Sequence, residues 1–135
     1  MKDEGCAFCG AGSGELVFDF GDWSLWLHPD SAVAGHAMLA IKRHVENFAD
    51  LTDSEATQFV RVQKVVERAL LDVTKTDRAI LLKLGIQTPH LHVHIYPVRS
   101  AATREDVMRI LDGTVSENRP AGFVKSLRDR IFHLT

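Results

Sequence analysis

The sequence predicts an α+β domain: an antiparallel sheet of about five strands, one long helix packed on it, and short helices at the C-terminus. Three observations carry this. The chain has 135 residues, enough for one domain with its own core and too few for two. Segments of alternating apolar and polar residues lie on both sides of a single long stretch of helical periodicity. The connections between them are short, so neighbouring strands can pair in antiparallel fashion.

Residues 1–14 hold Cys6, Cys9 and four glycines and show neither period, so they read as a knuckle that something else must hold. Residues 15–20 alternate, with Leu16, Phe18 and Phe20 on one side. Gly21-Asp22 turns the chain into residues 23–28, which completes a β-hairpin. After a loop with Pro29 and Gly35, residues 36–42 alternate again, with Ala37, Leu39 and Ile41 on one face and His36, Met38 and Ala40 on the other. Thr52 and Glu55 make a capping box for a helix over 53–72, whose Phe59, Val62, Val66, Ala69 and Val73 recur at spacings of three and four. Its outer side carries Arg61, Lys64 and Arg68, and Val60, Val65 and Leu70 are apolar positions beyond the main stripe. Residues 78–84 form a short apolar strand ended by Gly85, and residues 90–98 a strictly alternating one. Thr103 and Asp106 cap a short helix that Gly113 stops. Pro120 opens a last helix, with Phe123, Leu127 and Ile131 four residues apart.

Charge and composition exclude several roles. A formal net charge of -2 gives no basic field to hold a nucleic acid backbone, so nucleic acid is not an expected partner. No apolar run is long enough for a bilayer span and the N-terminus lacks a signal-peptide core, so a cytoplasmic protein without a membrane partner is expected. Two cysteines are too few for a disulfide framework. The acidic residues are scattered, and no Mg2+ site is evident.

Histidine is the anomaly. Seven are present, and His90, His92 and His94 alternate within "HLHVHIYP". A strand puts these three rings on one face, about 6.6 Å apart along the backbone, with Leu91, Val93 and Ile95 on the other. Three readings fit: a solvated strand face, a three-imidazole metal site, or nucleophilic catalysis by a neutral imidazole. Cys6-Ala7-Phe8-Cys9 has the spacing of half a zinc site, a spacing shared by redox pairs.

The string from His90 to Pro97 resembles the HφHφHφφ motif of the histidine triad (HIT) superfamily of nucleotide hydrolases and transferases, with φ an apolar residue. "AGHAMLAIKRHVENFADLT" resembles the family's strand and loop ahead of the long helix, and "CAFC" the Cys-x-x-Cys of many bacterial members. The order of elements agrees over residues 5–99, the motif-bearing core of a single HIT-like domain spanning 1–135. The tail over 103–135 is a segment in which the family varies.

The resemblance implies that His92 is the nucleophile attacking the α-phosphorus of a nucleoside 5'-monophosphate derivative, a phosphoramidate or dinucleoside polyphosphate. A nucleotidyl-histidine intermediate would follow. His94 would meet the phosphate, and His36 would join the same network. The alternative is a nucleotide-binding or partner-binding module with negligible turnover. Gln87 and Thr88 stand near the family's Gly-Gln pair and are candidates for phosphate oxygen. The family's ribose-binding Asp is replaced by His28, with Asp30 two residues on. His44 ends one strand and His90 begins another, so antiparallel pairing would bring both to Cys6 and Cys9, the positions that bind zinc in similar bacterial proteins. One structural Zn2+ per chain is therefore expected, and a homodimer through the long helix and an edge strand.

Overall fold

Alternation resolves into five strands: β1 (Glu15–Asp19), β2 (Trp23–Leu27), β3 (Ala37–Ile41), β4 (Arg78–Leu82) and β5 (His92–Val98). They form one antiparallel sheet in the order β1-β2-β3-β5-β4. This computed structural model describes Cys6, Phe8, Cys9 and residues 14–135; the rest of the N-terminal loop lies outside the described residues. Three helices complete the α+β architecture: α1 (Asp53–Thr74), α2 (Arg104–Asp112) and α3 (Phe123–Leu134).

The two faces of the sheet do different work because successive side chains alternate. One face presents Trp23, Leu25, Leu27, Ala37, Leu39, Ile41 and Ile95, against which α1 lays Val62, Val66, Ala69 and Leu70. α3 adds Phe123, Leu127 and Ile131 to the same cluster. Each Val, Leu, Ile or Phe among them contributes roughly 1.5–3 kcal/mol on burial, so this layer supplies most of the stability. On the opposite face the register sets Met38 across from His94 and Ala40 across from His92, with Trp26 across from Met38. α2 covers one end of that face, where Ile110 packs with Tyr96, Val98 and Ala32. No helix among the described residues is long and apolar enough to cross a membrane.

The helix ends follow their sequence signals. Thr52 Oγ1 accepts from the Glu55 amide while Glu55 accepts from Thr52 N–H, and Gly113 closes α2 at a φ of 79°. Three expectations are corrected. The register shifts between Leu16 and Phe18, so Val17 enters the core while Leu16 turns outward; a bulge adds one residue and breaks the alternation. Leu70 is 0% exposed and belongs to the main core, and Val65 packs against it, so of the three apolar positions beyond the stripe Val60 alone, at 58%, stays in solvent. The last strand begins at His92, with His90 and Leu91 held ahead of it by a bond from Leu91 N–H to the Val45 carbonyl.

Gly35 explains how the chain enters β3. A Cβ there would lie 2.6 Å from Pro97 Cγ and 2.8 Å from Thr74 Cγ2, so the loop passes too close to β5 and α1 for any side chain. This approach delivers His36 to the entrance of β3. Gly35→Ala is expected to lose about 1–3 kcal/mol in urea denaturation, since packed neighbours on both sides must move; an unchanged midpoint would contradict the close packing.

Candidate functional site

The open end of the second sheet face is a cavity of about 550 Å3 lined by His28, His92 and His94, by Phe8, Met38, Leu84 and Ile86, and by Gln87 and Thr88. Each histidine arrives from a different constraint. His92 and His94 are successive same-face residues of β5, His28 follows β2, and His36 precedes β3. His36 is buried at 4% exposure, sandwiched between His28 (ring centroids 4.4 Å, 8° between planes) and Tyr96 (4.1 Å). Its Nε2 lies 2.9 Å from His94 Nδ1.

Hydrogen bonds fix the tautomers. A carbonyl can only accept, so His92 Nδ1, 2.6 Å from the His90 carbonyl, carries the proton and leaves Nε2 as the free lone pair. His36 Nδ1 is buried without a partner; a proton there would be a stranded donor. The proton therefore sits on His36 Nε2 and is donated to His94 Nδ1, leaving His94 with its own proton on Nε2. His28, His36 and His94 also offer nitrogens within 4.8 Å of one another, a group that could hold a metal. Two of those nitrogens, His36 Nε2 and His94 Nδ1, already meet in a hydrogen bond.

The three alternating histidines do not act as one trio, because His90 lies ahead of β5 and joins a different set. Its Nδ1 lies 3.2 Å from Cys6 Sγ, 3.5 Å from Cys9 Sγ and 3.1 Å from His44 Nδ1, and Cys9 Sγ is 3.2 Å from His44 Nδ1. In a tetrahedral zinc centre these pairs stand about 3.3–3.6 Å apart, given bonds of about 2.3 Å to sulfur and 2.0–2.1 Å to nitrogen. Cys6, Cys9, His44 and His90 could thus hold a metal ion. His90 Nε2 donates to the Ile41 carbonyl at 2.5 Å, so Nδ1 presents a lone pair to the cysteines, the outer bond that a ligating imidazole needs. His44 follows Arg43, whose guanidinium grips both carboxylate oxygens of Glu55 at 2.7 and 3.0 Å. Those hydrogen bonds, ahead of the cap at Thr52, hold the Glu55 carboxyl at about 2.

The HIT domain family model matches residues 12–101, two thirds of the chain, and that span includes His28, His36, His92 and His94. The chain belongs to the HIT family. A histidine triad protein from Bradyrhizobium japonicum is 25% identical, with 88% of this chain and 91% of that one aligned at a TM-score of 0.71. A hypothetical histidine triad nucleotide-binding protein from Sulfolobus tokodaii (21% identity, TM-score 0.72, 96% and 93% covered) and a Zn-bound histidine triad family protein from Mycobacterium smegmatis (17%, 0.71, 96% and 94%) share the fold. HIT proteins are nucleotide-binding proteins that include hydrolases and transferases, so the coarse functional class follows from membership.

Burial keeps the His36 and His94 imidazoles neutral. Burial first, then the neighbouring His28, His94 and Arg119, lowers His36 to about 3. Burial, then His92 and His28, lowers His94 to about 4. In the unfolded chain both titrate near 6.5. Below that value the unfolded state binds more protons, so the stability these groups contribute is complete above about pH 6.5 and is lost as pH falls toward 4 and then 3. The urea midpoint is expected to fall between pH 7 and pH 5, and His36→Asn to flatten that slope; equal slopes in parent and variant would count against it.

Two other placements refine the HIT reading. Asp30 is not among the residues lining the cavity; its main chain, 2.8 Å from His28 Nδ1 through the carbonyl and 3.0 Å through N–H, orients the His28 ring instead. Phe8, between the two cysteines, packs on His92 with centroids 4.6 Å apart and planes tilted by 34°, and meets Trp26 edge-on. The Cys-x-x-Cys spacing drew attention to the sulfurs and not to the residue between them. Residues 117 and 119 also reach the loop over 29–34, a contact with no signature in the sequence.

Proposed function

We propose that this chain is a nucleotidyl hydrolase or transferase working through a nucleotidyl-histidine intermediate. The observation that carries the reading is the His92 tautomer: with Nδ1–H donated to the His90 carbonyl, Nε2 is a neutral nucleophile on the cavity wall. Burial holds its pKa below the ordinary imidazole value, so no base is needed to free the lone pair near pH 7. Nε2 attacks the α-phosphorus and the N–P bond forms as the bond to the leaving group breaks. The leaving group departs with its electron pair and takes a proton from water. The bond from Nδ1–H to the carbonyl eases the positive charge that the ring acquires, while His94 Nε2–H, aligned by His36, donates to a phosphate oxygen. Water then displaces His92 and releases the nucleoside monophosphate.

Gln87 and Thr88 would bind phosphate oxygen and His28 the sugar side, with Asp30 setting the His28 ring. Cys6, Cys9, His44 and His90 would hold one Zn2+ per chain; a closed four-ligand set leaves no position for substrate, so that ion is structural. The Mycobacterium smegmatis relative, described as Zn-bound, supports this assignment. A homodimer is supported by the exposed Val60 on α1 and Leu81, 47% exposed, on the edge strand β4. Sedimentation is expected to give twice the chain mass, and a single-chain species at micromolar concentration would remove the dimer. The test of function is turnover of a fluorogenic adenosine phosphoramidate, with mass spectrometry for an acid-labile nucleotide adduct on His92. Tight binding of AMP with no turnover would assign the chain to the binding modules instead.

A further inference from the structure

The tail after α2 makes contacts that the catalytic reading does not use. Gly113 ends the helix and sends residues 114–119 back along the loop that joins β2 to β3. There Glu117 N–H donates to the Ser31 carbonyl at 3.0 Å, and its carboxylate accepts from Ala34 N–H at 2.8 Å. Two residues on, Arg119 donates from Nε to the Ala34 carbonyl at 3.1 Å and from Nη2 to the His28 carbonyl. The tail thus satisfies backbone groups at both ends and in the middle of the loop. The loop makes few such bonds of its own: His28 N–H to the His36 carbonyl and His36 N–H to the Val33 carbonyl, each about 3 Å long.

The loop ends are the two histidines whose rings stack, and the second of them bonds His94. A guanidinium is suited to this task because its planar fork can meet two carbonyls in fixed directions, which an ammonium cannot. We propose that Glu117 and Arg119 are positioning residues of the histidine site: by clamping the loop they hold His28 against His36, and so hold His36 in line with His94. The role in turnover rests on the reaction proposed above; the clamp itself does not. It gives the C-terminal tail, outside the matched HIT domain, a direct hold on the relay.

Arg119→Met and Arg119→Lys, with Glu117→Gln as a second site, separate fork from charge. Turnover of the adenosine phosphoramidate is expected to lose about tenfold to a hundredfold in kcat with KM changed little, the size of effect that a displacement of about 1 Å in a reacting group produces. Lysine, which keeps the charge and loses the fork, is expected not to rescue it. Independently of turnover, the imidazole 15N signals of His36 and His94 should shift in Arg119→Met and Glu117→Gln at a temperature where both stay folded. Unchanged 15N signals would overturn the clamp, and so would full rescue by lysine. If the parent shows no turnover but the signals shift as expected, the reaction fails and the clamp stands.

Discussion

His92→Asn is expected to lower single-turnover hydrolysis of an adenosine phosphoramidate by about 10^4-fold or more, the scale seen when a covalent nucleophile is removed. Asparagine can keep a side-chain donor near the His90 carbonyl, so the loss reports Nε2 and not that bond. The fold should persist. His92 is buried, at 7% exposure, against Phe8 and His94, so a penalty of about 1 kcal/mol is expected, small beside the stability of a domain of this size. Near-parental turnover, or an adduct on another residue, would show that the chemistry lies elsewhere.

Cys9→Ser is expected to release the metal and lower Tm by about 10 °C, equivalent to about 3 kcal/mol at this chain length. Cys9 approaches both His44 and His90, so its loss opens the set on two sides. The parent should contain about one zinc per chain by elemental analysis. Activity should fall in step with unfolding and not ahead of it, since no open metal position meets the substrate. Metal-free parent protein with unchanged stability would contradict the assignment, as would chelation that stops turnover while the fold remains intact.

Much of this was legible in the residues because period-two alternation is a direct consequence of the pleat. His92 and His94 share a face because their segment is a strand, and the antiparallel pairing of β3 with β5 brings His44 and His90, just outside the paired strands, together. What the pattern could not show were departures from regular geometry and contacts made by main-chain groups. The bulge between Leu16 and Phe18 breaks an apparently clear alternation: Phe18 and Phe20 pack on the core, but Val17 takes the buried place and Leu16 turns outward. Leu70 lies beside the main helical stripe and is core because α3 widens the apolar contact of α1. Glu55 read as a cap, yet the same carboxylate also anchors Arg43 beside His44. Arg119 carries no readable signal at all, because its acceptors are carbonyls that every residue possesses.

Cys6 and Cys9 meet one histidine just beyond the end of β3 and another just before the start of β5, and the two strands are joined by the whole of α1 and β4. Pairing strands so distant along the chain is slow, and slipping by two residues would leave every side chain on its proper face, so burial alone discriminates poorly between neighbouring alignments. A metal ion bound by all four ligands would close the set in the alignment that faces Ala40 with His92, and would therefore act as a checkpoint on alignment while the sheet assembles. Refolding in a chelator should accordingly show a slow phase of realignment that vanishes when zinc is present from the start.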